Sequence, residues 1–441
     1  MRFIIILIAC LCFFSCEEKD PFYLGGIQIH EASQEDWVKL VDDVGMNTIE
    51  VTVYAKQGDW NSDNLWWDRE EPYVLSEIRA AKAQGLRVVL VLRTALDHAF
   101  SANKFLWHGM IMPESDSLLK EWFWRYNRFT IMWADIAEQE GIDVLVIGSE
   151  LNALSATTPI DTMPALLEYF SNKPKQEKHE KRVLKFKDQL LPEDLWVQGF
   201  DNYEAIEPYI DDKIATNVAW AHAVTFGDSI PLLTARRELM NGYWLSVIEE
   251  VRKRYGGKLS YAANFDNYHE VGFWDALDFI GINAYFPLRD YEKDFPKDSI
   301  PAALAQGWER VFADIDSFKV KDSLVGKPLL FTELGYIYRE SCTILPWEGF
   351  GFSVAGLEGE EAVLVWKKQP ENRIERAMAV EALHKVVVEQ QQPLKGILYW
   401  KLTGHDYLIK EEPFALHLTK KATDPLQNQL LKFMSIPERK D

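Results

Sequence analysis

Short apolar runs rich in β-branched residues alternate with amphipathic helical stretches along most of the chain, the pattern of a parallel sheet joined by crossover helices. Eight such runs stand out: Leu24 to His30, Thr48 to Tyr54, Arg87 to Arg93, Val144 to Ser149, Leu259 to Ala263, Phe279 to Ala284, Pro328 to Thr332 and Gly396 to Lys401. Val88-Val89-Leu90-Val91-Leu92 has no polar face. Both of its sides must therefore be covered, as in parallel strands flanked by helices. Eight strands close a (β/α)8 TIM barrel, which is the α/β fold expected here.

The helices carry their own punctuation. Ser33-x-x-Asp36 resembles a capping box before a helix that stops at Gly45, and the stretch from Tyr73 ends at Gly85. A long helix from about Leu118 to Glu140 bears Trp122, Tyr126, Phe129 and Trp133 at three- and four-residue spacing, a stripe that reads as core. One interval breaks the rhythm: about 90 residues separate the end of strand 4 from a helix expected over Tyr243 to Tyr255. This large insertion after strand 4, about 155–240, holds a basic run (Lys173, Lys175, Lys178, Lys181, Arg182, Lys185, Lys187) and then aromatic patches around Trp196, Trp220 and His222. Loops after barrel strands lie on the active-site face, so the insertion is expected to overhang the cleft. No linker or internal repeat bounds it, and residues 23–436 read as a single domain.

The N-terminus changes the picture. Met1-Arg2, an apolar run from Phe3 to Phe14, then Ser15-Cys16 and four charged residues read as a signal peptide over 1–15, too short to span a membrane. The small residue before Cys16 resembles a bacterial lipoprotein cleavage site, with Cys16 carrying the acyl chains and 16–22 as a short tether; ordinary secretory cleavage is the alternative. The expected location is a bacterial outer membrane or cell surface, otherwise periplasmic or secreted. Cys10 and Cys12 would leave with the signal, so Cys342 is the one other cysteine and no intramolecular disulfide forms. The net charge of −20, spread along the chain, argues against nucleic acid as a partner and against electrostatic docking on anionic lipid. Attachment would rest on the acyl chains.

Two glutamates end predicted strands: Glu150 in Ile147-Gly148-Ser149-Glu150-Leu151-Asn152 on strand 4, and Glu333 in Phe331-Thr332-Glu333-Leu334-Gly335-Tyr336 on strand 7. The C-terminal ends of barrel strands face the active site, and strands 4 and 7 lie across the mouth. Glycoside hydrolysis needs one carboxylic acid to protonate the leaving oxygen and a second carboxylate at the anomeric carbon. Either Glu alone reads equally well as a first-turn helix residue or the partner of a barrel Arg; their coincidence on strands 4 and 7 favours chemistry. Arg93, Asp97 and His98 follow strand 3, where they line the cleft and are placed to contact sugar hydroxyls. Asp59-x-Asn61-x-Asp63 with Glu70 resembles a calcium loop but lacks the turn glycine and follows a strand. His98, His108 and His405 lack metal-ligand spacing, so no metal or other cofactor is expected.

The chain also resembles a known family. The two strand ends resemble the four/seven pattern of the large retaining glycoside hydrolase clan A, and the detail is similar to glycoside hydrolase family 113, whose characterised members are β-1,4-mannanases. The resemblance is carried by Trp122-Phe123-Trp124-Arg125-Tyr126, Ile147 to Asn152, Val251 to Gly257, Leu259-Ser260-Tyr261-Ala262-Ala263-Asn264, Trp274 to Tyr285, Phe331 to Tyr336 and Pro346-Trp347. It implies Glu150 as acid/base, Glu333 as nucleophile, Tyr285 as hydrogen-bond partner of the nucleophile and Trp400 as a sugar platform, with Asn264, Tyr336 and Trp347 as further substrate contacts. Ser149 stands where the clan usually has the Asn that meets the sugar 2-hydroxyl, leaving water or Asn152 to do that work.

The implied partner is a poly- or oligosaccharide, and the implied reaction a retaining hydrolysis through a covalent glycosyl-enzyme. In it Glu150 starts protonated and loses proton affinity once Glu333 is esterified. Two alternatives stay open: a β-glucan-specific hydrolase, and a glycan-binding surface lipoprotein without turnover.

Overall fold

The computed structural model describes residues 22–68, 72–163, 200–202, 205–289, 297–347, 352–358, 361–366, 370–410 and 412–436. Cys16, the signal segment, the basic run, Trp196 and Glu70 lie outside these residues.

Eight parallel strands form a closed ring: β1 (Tyr23–Gln28), β2 (Thr48–Gln57), β3 (Arg87–Leu96), β4 (Val144–Ser149), β5 (Lys258–Asn264), β6 (Ile280–Ala284), β7 (Leu329–Leu334) and β8 (Leu394–Thr403). β1 closes the ring by pairing with both β8 and β2. All eight fall on the apolar runs of the sequence, some extended by a few residues at the mouth. Four described strands lie outside the ring: Leu65–Trp66 antiparallel to the end of β2, Leu416–His417 beside the end of β8, and Phe352–Glu358 with Glu361–Trp366 as a separate antiparallel pair.

Strand alternation sorts the side chains. Ile49, Val51, Val53 and Ala55 of β2 join the layer under the helices, whereas Tyr23, Val89, Val91, Val144, Val146 and Leu398 fill the barrel interior. Glu50 is in register with Val89 and so shares the interior face.

The outer ring comprises α1 (Gln34–Asp43), α2 (Pro72–Ala83), α3 (Asp116–Glu140), α4 (Ile206–Val224), α5 (Ile230–Arg252), α6 (Ile300–Lys321), α7 (Arg373–Glu389) and α8 (Pro425–Leu431). Ser33 caps α1 by accepting from the Asp36 amide, and Gly45, at φ 88°, supplies the left-handed turn beyond it. Ser115 starts α3 two residues ahead of the expected boundary, and its aromatic stripe is buried, as a core face. The helix expected at Tyr243 begins at Ile230, because Pro231 at its start fits a first turn and Leu233, Arg236 and Met240 continue the buried face backwards. Within the inserted region α4 packs over the loop after β3, with Trp220 fully buried. No described helix is long and apolar enough to cross a membrane.

Candidate active site

β4 delivers Glu150 through a tight local structure. A Cβ on Gly148 would stand 2.9 Å from the Tyr261 ring and 3.0 Å from the Trp244 ring, so only glycine lets the strand approach those aromatics. Glu150 itself takes a left-handed backbone, φ 51°, unusual for a residue with a side chain and costing about 1–3 kcal/mol. Its amide donates to the Ala262 carbonyl at 2.8 Å, and the next amide, of Leu151, donates to the Tyr261 hydroxyl at 3.0 Å. β7 delivers Glu333, which is almost wholly buried.

One side chain joins the two. Asn283 of β6 donates through Nδ2 to Glu150 Oε1 at 2.9 Å and to Glu333 Oε1 at 2.8 Å, with Ser149 Oγ at 3.3 Å. The two glutamate oxygens are therefore at most about 5.7 Å apart, the combined length of those bonds. Thr332 Oγ donates to Asn283 Oδ1 at 2.8 Å and so fixes which end of the amide faces the glutamates. Glu333 has two further partners: the Arg93 guanidinium forms an ion pair at Oε1, and the Tyr285 hydroxyl donates to Oε2. Burial, with the Glu150 charge beside it, pushes the Tyr285 phenol well above its usual range, which keeps it a donor.

Glu150 has its second oxygen on His108, whose Nε2 lies 3.1 Å from Oε2. Burial raises the Glu150 carboxyl, but the His108 bond and charge, the Arg93 charge and the Asn283 amide outweigh it and leave the group below its ordinary value. The sequence does not reveal His108 as a neighbour of Glu150, so this influence on the carboxyl was not part of the sequence reading. Beneath the mouth, Glu50 is buried, its two oxygens have no hydrogen-bond partner, and desolvation lifts it to about 8 despite the charges of Arg93 and Lys401.

The other expected contacts divide. Trp400, three residues before the end of β8, is half-buried, with the Arg93 guanidinium 4.7 Å and the Lys401 ammonium 4.5 Å from its ring centroid. Arg93 thus ties the nucleophile candidate to the expected platform. Trp347 stacks on Phe265 at 5.1 Å, beside the end of β5. Asn264 accepts from the Phe265 amide, and Asn152 is fully buried in the turn after Glu150; neither bonds to either glutamate. Tyr336 departs from a substrate-contact role: it is fully buried, and its hydroxyl donates to the Phe286 carbonyl at 3.1 Å inside the wall. Asp97 and His98 serve their own loop, capping the Ala99 amide and meeting the Asn103 carbonyl.

Sequence reasoning missed Asn283, His108 and Glu50. Asn283 was findable, since it is a polar residue in an otherwise apolar strand, next to the mouth and two positions before Tyr285. Glu50 is a charge in an otherwise apolar, alternating strand, itself an anomaly. His108 lies in an irregular loop with no periodic signal. Among the described residues no group of acidic, His or Cys side chains is arranged to hold a metal ion.

The sequence profile of Glycoside Hydrolase Family 113 matches residues 25–158 and 175–363. No curated protein matches the chain. Among solved structures, a GH113 β-1,4-mannanase complex matches with a TM-score of 0.55 at 16% identity, over 94% of this chain and 99% of that one. The GH113 β-mannanase AaManA from Alicyclobacillus acidocaldarius, in complex with ManMIm, gives 0.54 at 15% identity, over 94% and 97%. At such identity these two speak for the fold alone.

Proposed function

The chain belongs to glycoside hydrolase family 113, and on that premise we propose that this glycoside hydrolase is a retaining endo-β-1,4-mannanase, with Glu333 as nucleophile and Glu150 as acid/base. The observation that carries the reading is the single Asn283 amide between the two carboxyl groups. It keeps their facing oxygens within about 5.7 Å, near the roughly 5–5.5 Å separation of retaining enzymes and short of the 6.5–9.5 Å that leaves room for an inverting water. Glu333, which accepts from Asn283 and Tyr285 and pairs with Arg93, attacks the anomeric carbon; the bond to the leaving oxygen breaks as that oxygen takes a proton from the Glu150 side. Water then enters, gives its proton back to Glu150 and releases Glu333. Tyr285 and Arg93 orient the nucleophile, and Trp400 forms the floor of the sugar site. Mannan is the substrate favoured by membership of a family whose characterised members are β-1,4-mannanases.

Reducing-sugar release from β-mannan, glucomannan, cellulose and xylan tests this. Release from mannan that Glu333→Ala and Glu150→Ala both abolish is the expected result. A silent panel with retained glycan binding would instead identify a binding protein. We also infer lipid attachment through Cys16 after export, which Cys16→Ser tests: the variant should leave the membrane fraction for the soluble one.

A further inference from the structure

We propose that His108 is a positioning residue for the acid/base: Glu150 and His108 form one pair holding a single proton, and the segment inserted after β4 seats that pair. The inference rests on the reading of Glu150 as acid/base. Asn283 occupies Oε1 of Glu150, so Oε2 is the oxygen left for proton exchange, and His108 Nε2 stands 3.1 Å from it. The proton sits either on Oε2 with Nε2 accepting, or on Nε2 with Oε2 accepting; the pair is neutral both ways. Around it stand Arg93 from β3, Tyr261 from β5, Tyr285 from β6 and Glu333 from β7. The Trp107 ring meets the His108 ring edge-on, with centroids 5.0 Å apart.

The pair follows from the contact itself: His108 Nε2 reaches the one Glu150 oxygen that Asn283 leaves open, and the His108 bond and charge are the largest of the influences that lower Glu150's own hold on a proton. A proton that passes from Glu150 to His108 stays within the pair and so at the site. In the first half-reaction Glu333 bonds to the anomeric carbon, the bond to the leaving oxygen breaks, and the pair's proton goes to that oxygen. This leaves Glu150 ionised and His108 neutral. In the second, water bonds to the same carbon, the carbon–Glu333 bond breaks, and the water's proton returns to the pair.

His108 is held from three sides. It opens a 3-10 turn, His108–Met110, and the Trp107 ring lies where a side chain on Gly109 would have to stand. Buried Trp220 of α4 donates Nε1–H to the Met110 carbonyl at 2.8 Å, while Tyr209 packs edge-on against Phe105. Upstream, the buried Asn103 amide donates to the Gly58 and Asp97 carbonyls at 2.8 and 2.7 Å, pinning the loop to the end of β2.

The test is the pH dependence of kcat/KM for wild type, His108→Gln and Trp220→Phe on the glycan that wild type hydrolyses. Azide rescue of Glu150→Ala on an aryl glycoside with a good leaving group is run alongside. Loss of the last proton from a coupled pair lies above that of either member alone, so the basic limb of His108→Gln should move to lower pH by at least about one unit. Trp220→Phe, which keeps an aromatic ring but loses the indole N–H and its bond, should show a smaller shift in the same direction. Without azide rescue, the acid/base reading fails and this inference with it. With rescue, an unmoved limb in His108→Gln overturns the pair even if kcat falls, since a packing defect lowers rate without moving the limb. An unmoved limb in Trp220→Phe alone overturns the role of the inserted segment.

Discussion

Asn283→Ala probes the junction of the site most directly. The substitution removes one NH2 group that donates to both carboxyl groups, at 2.9 and 2.8 Å, and leaves a small cavity in the barrel floor. A hydrogen bond to a charged group contributes about 1.5–3 kcal/mol. With one tenfold change in rate per roughly 1.4 kcal/mol, losing one or both bonds in the transition state lowers kcat/KM by about 10- to 10⁴-fold. The middle of that range, about 10²- to 10³-fold, is expected because the two bonds share a donor and do not add. Asn283→Asp should be worse above neutral pH. It keeps the shape but sets a third carboxylate about 3 Å from two others, a repulsion of roughly 5 kcal/mol per pair at an effective dielectric near 20. The new carboxyl should therefore hold a proton, and activity should partly recover toward acid pH. The assay is kcat/KM between pH 4 and 9 on soluble mannan, with melting temperatures to establish that both variants are folded. A folded Asn283→Ala within threefold of wild type would refute the bridging role.

Thr332→Val removes the hydroxyl that orients the Asn283 amide, so kcat/KM should fall by about tenfold, less than for Asn283→Ala, with little loss of melting temperature. Gly148→Ala drives a methyl group into the Tyr261 and Trp244 rings; thermal denaturation should reveal destabilisation of about 1–3 kcal/mol, and kcat should fall as Glu150 is displaced. Glu77, buried between α1 and α2 and bonded to Trp37 Nε1 at 3.0 Å, is lifted by desolvation from 4.5 to about 7. The folded state binds its proton more tightly than the unfolded state. Stability is thus highest below pH 4.5 for this group and declines as pH rises through about 7, by on the order of 3 kcal/mol. Glu77→Gln should therefore melt higher than wild type at pH 8 and show little advantage at pH 5.

The barrel was legible because its strands are long apolar runs whose burial on both faces leaves no other reading. The two glutamates were legible because strand ends in a barrel converge on one mouth, so position in sequence translates into position in space. Boundaries within the inserted region were not: α5 starts at Ile230, where apolar and polar residues mix, and only packing against α3 fixes its length. Tyr336 was placed at the substrate by the resemblance alone, and only the packing shows its hydroxyl turned into the wall, on the Phe286 carbonyl. His108 could not be read at all. A loop without periodicity reaches Glu150 only through contacts spread over Asn103, Gly109 and Trp220, separated by more than a hundred positions of chain.

β1 enters the ring from the N-terminal end of the barrel, opposite the mouth, with Tyr23 as its first residue. A lipid anchor at Cys16, as proposed above, would be joined to Tyr23 by the six residues between them, a reach of no more than about 25 Å over seven Cα–Cα steps. The enzyme would then stand on its base like a cup, its rim facing away from the bilayer and its cleft open to glycans arriving from outside. Such an anchor would set the direction of approach as well as the address: long polymers could then thread across the rim without meeting the membrane.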